Sequence, residues 1–241
     1  MAQVPASTHG VELETTTGLD HRKLMMWAFL GSECLFFGTL ISTYLVYRNQ
    51  SIVGPYPNDI IDVPVTSVST FVLLMSSFMM VMTLNAIRKG DQRAFRVWIL
   101  GTAFMGATFL GFQVFEFYEF AIEEHEFTKC FAEGCIEGTW SGLTPWTNLF
   151  GSTFFVMVGF HGAHVTVGVI WLVSLFGQSL QGNLKQKDAL RVELLGLYWH
   201  FVDIVWIVIF TLVYLIGGKD APTDVQVYLD QGFTLMPLIG N

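Results

Sequence analysis

Residues Phe150 to Trp171 read FGSTFFVMVGFHGAHVTVGVIW. The run is apolar enough to lie in a bilayer, yet it carries His161 and His164 near its middle. Three residues apart, the two histidines share one face of a helix. Two other stretches answer it. Tyr198 to Trp206, YWHFVDIVW, sets His200 and Asp203 at the same spacing, and Gln113 to Phe120, QVFEFYEF, does so with Glu116 and Glu119. Ionisable side chains are costly within a membrane, so they turn inward and take partners. The spacing predicts three polar faces that look at one another across a helix bundle.

Composition agrees with a membrane setting. The 241 residues are 52% hydrophobic and 15% aromatic, with 22 Phe, and only 13% charged. A soluble domain carries about 25% charged residues. The net charge of -8 and the absence of a long basic patch argue against nucleic acid as a partner. The polar start of the chain, with TTTGLDHRK before the first apolar run, lacks a signal-peptide pattern, so that run reads as a retained helix.

Five apolar segments follow in order, at about residues 24–47, 63–87, 97–120, 148–176 and 194–218. Each reaches the length of about 20 residues that spans a hydrocarbon core. An open element there must be helical to satisfy its own backbone. The expected fold is all-α, a bundle of five transmembrane helices. A polar segment, 1–23, precedes the membrane domain, 24–218, and a tail, 219–241, follows it. With the N-terminus inside, nine of the twelve Lys and Arg residues fall on the cytoplasmic side, which places the C-terminus outside.

The polar residues admit several readings. Carboxylate and histidine pairs on bundle helices are the raw material of metal or haem sites. The pattern here is ExxE, HxxH and HxxD, which is not the di-metal pattern, and the glutamates lie nearer the outer end than the histidines. The competing reading is a hydrogen-bonded polar core without metal, formed by Glu116, Glu119, His161, His164, His200 and Asp203. Glu33 stands alone in WAFLGSECLFFGTL. It reads either as a proton-handling or lipid-contacting acid or as a neutral acid bonded to a neighbouring helix. The tryptophans and phenylalanines read as packing and interface anchors. Cys34 is a core residue by position. Cys130 and Cys135 lie in an acidic polar loop that would face the oxidising side, where either a disulfide or two free thiols fits.

Four of these stretches resemble one family. GSTFFVMVGFHGAHVTVG followed by YWHFVDIVW is similar to subunit III of the haem-copper oxidases. LGSECLFFGTL resembles that family's segment around an intramembrane glutamate, here Glu33, and GFQVFEFYEF its paired-glutamate segment. The resemblance covers about residues 24–218. It implies a chain with no redox centre of its own, docked on the catalytic subunit I of a proton-pumping terminal oxidase in the bacterial plasma membrane. It implies haem and copper in partner subunits, contacts with other oxidase subunits and membrane lipids, bound phospholipid, and support for proton uptake. A related subunit of a quinol oxidase or nitric oxide reductase, or an independent transporter, are the alternatives. Longer family members have a two-helix pair before the glutamate helix and an arginine where Gln178 stands; the resemblance here is to a five-helix form.

Overall fold

The computed structural model describes residues 20–47, 63–122, 142–216 and the backbone of 125–131 and 134–140. The five expected helices are present. They are α1 (His21–Tyr47), α2 (Val63–Arg88), α3 (Gln92–Ile122), α4 (Leu149–Leu180) and α5 (Ala189–Ile209). All five, α5 counted with its flanking turns, are long and apolar enough to cross a membrane. A wider turn, Phe210–Leu215, prolongs α5, with its last bond from Ile216 N–H to Thr211 O. Three of the helices, α1, α3 and α5, begin earlier than hydropathy alone indicates, because polar residues form their first turns. Asp20 Oδ1 accepts from Arg22 N–H, and Asp91 Oδ1 accepts from Arg93 and Ala94 N–H. Asn148 Oδ1 accepts from Gly151 N–H at the start of α4.

The tight connections also follow from local chemistry. After α2, Gly90 at φ 77° takes the left-handed conformation. Its N–H bonds Ile87 O while Asp91 N–H bonds Ala86 O, so two terminal carbonyls are satisfied and the chain reverses into α3. Gly182, at φ 73°, ends α4 in the same manner. Between α3 and α4 the expected loop contains two antiparallel strands, β1 (His125–Phe131) and β2 (Gly134–Trp140). The segments 1–19 and 217–241, which hold most of the expected polar start and the tail, lie outside the described residues.

The helices form two layers. α5 packs between α1 and α2, and beneath them lie α4 and α3. Trp199 of α5 holds the layers together. A Cβ on Gly106 of α3 would come within 2.5 Å of its ring, and one on Gly168 of α4 within 2.7 Å. The indole therefore occupies notches that only glycine leaves open. Its Nε1–H donates to Ser76 Oγ of α2. Trp206 repeats the bond one level on, donating to Thr70 Oγ1 of α2 at 2.9 Å. Phe109, Phe150 and Phe154 complete a fully buried aromatic core.

Candidate functional site

The polar residues divide among several helix contacts. His161 of α4 is fully buried. Its ring stacks on Trp206 at 4.8 Å and meets the edge of Phe109 at 5.7 Å. Its Nε2 lies 3.2 Å from Val202 O. A carbonyl only accepts, so Nε2 carries the hydrogen, and the imidazole ties α4 to the α5 backbone. Gln113 of α3 makes the parallel link, donating to Val158 O at 2.8 Å in the space left by Gly162.

His164, three residues on, turns to α1 instead. Its Nε2 stands 3.2 Å from Glu33 Oε2, and each side chain is 18% exposed. Its Nδ1 lies 2.8 Å from Phe160 O. Nδ1 is therefore the donor to the carbonyl, and Nε2 is left facing the carboxyl group. Two arrangements satisfy that contact. Either Glu33 is protonated and donates to a bare Nε2, or Nε2 is protonated and donates to a carboxylate. The two differ by one proton moved along one hydrogen bond, and the pair has no net charge in either. Phe36 and Phe37 of α1 and Tyr198 of α5 surround the imidazole.

Asp203 of α5 is 5% exposed and accepts from Ser77 Oγ of α2 at 2.6 Å. His200 is partly exposed beside it. Glu116 accepts from Thr66 Oγ1 of α2 at 2.9 Å, whereas Glu119, three residues on, is exposed. Glu116, Glu119, His161, His164, His200 and Asp203, read from the sequence as one polar core, thus lie at separate helix contacts. No hydrogen bond joins the three histidines and Asp203 to one another. The reason is angular: three residues advance a helix by about 300°, which leaves a pair about 60° apart and aims its members at different neighbours. For Glu33, which stands alone within its own segment, the sequence left the partner open, and the structure sets it against His164. Nothing in the spacing within one segment links it to His164, more than a hundred residues away.

At the basic end of the bundle, Glu193 of α5 joins two helices. Its Oε1 lies 2.5 Å from Lys23 Nζ of α1 and its Oε2 3.1 Å from Arg88 Nη2 of α2. Among the described residues no three His, Cys, Asp or Glu side chains gather to hold a metal ion. Cys130 and Cys135 are directly opposed in the strand register; the choice between a disulfide and two free thiols concerns side chains outside the described residues. Cys34 is exposed rather than in the core.

The chain matches known sequences along nearly its whole helical length. It is 34% identical over 206 residues to cytochrome c oxidase subunit 3 of Bacillus sp. (strain PS3), covering 86% of this chain and 91% of the relative. The chain belongs to the subunit III family of the haem-copper oxidases. The family model described as cytochrome c oxidase subunit III matches residues 135–218, the part that holds α4 and α5. Quinol oxidase subunit 3 of Bacillus subtilis (strain 168) is 34% identical over 194 residues, 80% of this chain and 86% of that one. The probable quinol oxidase subunit 3 of Staphylococcus haemolyticus (strain JCSC1435) is 33% identical over 211 residues, 87% and 96% of the two chains. This subunit III is a multi-pass protein of the bacterial plasma membrane. Near the end of α4, at Gln178 and Ser179, cations reach in from neighbouring helices. Arg191 of α5 donates to Gln178 Oε1 at 3.4 Å, and Arg96 of α3 donates to Ser179 O at 2.7 Å.

Proposed function

We propose that this chain is the non-catalytic subunit III of a proton-pumping haem-copper terminal oxidase. It docks on catalytic subunit I, which holds the haem and copper, stabilises that subunit and supports proton uptake from the cytoplasmic side. The observation that carries the reading is the near-equal identity, 34% and 34%, to subunits of a cytochrome c oxidase and of a quinol oxidase. A subunit shared so evenly by complexes with different donors is not the one that reads the donor. Its work is common to both, and the shared part of the reaction is oxygen reduction and proton handling by the partner.

The N-terminus lies inside and the C-terminus outside, which the basic residues at the Arg88–Lys185 end of the bundle support. Glu33 and His164 form the proton-related element. A proton passes from Glu33 Oε2 to His164 Nε2 or back, with no net charge created in the bilayer. The remaining buried polar groups, His161, Gln113 and Asp203, hold helix register. Phospholipid bound along the exposed face of α1 supplies the hydrocarbon surroundings, and the basic end its headgroup contacts.

Purification in mild detergent through a tag on this chain tests the reading. Haem absorbance and a large co-purifying subunit are expected. A stable, colourless, lone chain would overturn it and favour an independent transporter.

A further inference from the structure

α5 is walled on both sides. Phe29 of α1 stacks on Tyr198 and Phe37 meets Phe201 at a tilt, while Ser76 and Ser77 of α2 bond Trp199 and Asp203. Between these walls one stripe of α5 is partly to fully exposed. It runs from Leu197 through His200 to Ile204, which is 59% exposed, and on to Ile207. Its neighbours are apolar, as lipid contact requires. His200 is not. It lies about 17 Å along α5 from Ala189, near the middle of a helix about 40 Å long with its final turn. Among the described residues its imidazole has no hydrogen-bond partner, and Asp203 Oδ1 behind it is buried with none either.

Hydrocarbon chains offer no hydrogen bond, so a partly exposed imidazole and an orphaned carboxyl oxygen at mid-bilayer do not suit a lipid surface. They suit another helix. We infer that the α1–α5–α2 face, centred on His200 and Asp203, is where a transmembrane helix of another oxidase subunit docks, presenting a hydrogen-bonding side chain at the depth of His200. The inference rests on the oxidase reading and adds to it the face and the chemistry of the contact. The choice of a helix follows from the geometry. Glu193 draws Lys23 and Arg88 together across the basic end, so the stripe is a lane parallel to the helix axes, and Leu197, Ile204 and Ile207 flank the histidine at the one-turn spacing a helix would read. Ile170 of α4, on the opposite layer and 64% exposed, is the comparison position.

The test uses the assembled complex in native membranes. A benzophenone amino acid replaces Ile204, and in a second strain Ile170, followed by illumination and mass spectrometry. A covalent adduct between position 204 and a different membrane subunit is expected. In parallel, His200→Leu should lower the haem recovered per tagged chain roughly three- to thirtyfold, the span that one interhelical hydrogen bond in a bilayer covers. His200→Gln, which keeps a donor and an acceptor, should restore most of it. Adducts at 204 to lipid alone, or to a second copy of this chain, in a preparation that still carries haem would overturn the docking face and leave the oxidase reading standing. Absence of haem and of a large subunit from the unsubstituted preparation would overturn the oxidase reading itself. Equal haem recovery for the leucine variant would overturn the role of His200.

Discussion

His164 Nε2 and Glu33 Oε2 stand 3.2 Å apart across the α1–α4 contact, with the other imidazole nitrogen held by Phe160 O. The pair joins a glutamate and a histidine from opposite halves of the chain. We predict that Glu33→Ala and His164→Ala are strongly coupled. A double-mutant cycle on the detergent-solubilised protein should show an interaction of about 0.5–3 kcal/mol, as for residues in direct contact. Strict additivity of the two losses would count against a functional pair.

His161 bonds a backbone carbonyl and fills a fully buried aromatic slot. His161→Ala should destabilise the subunit by about 2–5 kcal/mol through the cavity and the lost bond. The amount of assembled oxidase should fall while turnover per assembled complex is kept. A normally assembled but inactive complex would contradict this.

Trp199 is held by Gly106, Gly168 and Ser76 together. Trp199→Ala should cost about 3–5 kcal/mol. Gly168→Leu should cost about 1–3 kcal/mol or more from overpacking. Thermal unfolding of the purified subunit compares them. A glycine variant as stable as the parent would mean that the indole does not sit in that notch.

The Glu193 cluster is half-exposed, its three side chains being 23%, 34% and 55% accessible. Glu193→Gln should therefore change stability by only about 1 kcal/mol, and less at high salt. A loss of several kcal/mol that persists in high salt would show the cluster to be covered in the complex.

Cys130 and Cys135 are opposed in the register of β1 and β2. Opposed residues in an antiparallel pair have Cα atoms about 4.5–5.5 Å apart, within the range of a disulfide. An unreduced tryptic digest should contain one peptide mass lower by two hydrogens. Two free thiols in protein from the native membrane would sink the bond.

The helices were legible because their signals are local. An uncharged run such as Val63–Ile87 is long enough to span hydrocarbon, and the residues around Gly90 spell out a reversal. The family was legible for a related reason: FHGAH, YWHFVD and FEFYEF are contiguous. The hairpin was not, since β1 and β2 are short and carry charges that read as loop. Nor were the partners of the polar residues.

The sequence by itself determined five membrane helices, their order and the side chains that needed partners, because apolar length and the helical period act within a segment. Only the tertiary structure decided who those partners are. His161 went to Val202, His164 to Glu33, Asp203 to Ser77 and Glu116 to Thr66. A turn of about 60° between residues three apart is enough to send them to different helices. Which helix waits there depends on how all five pack together.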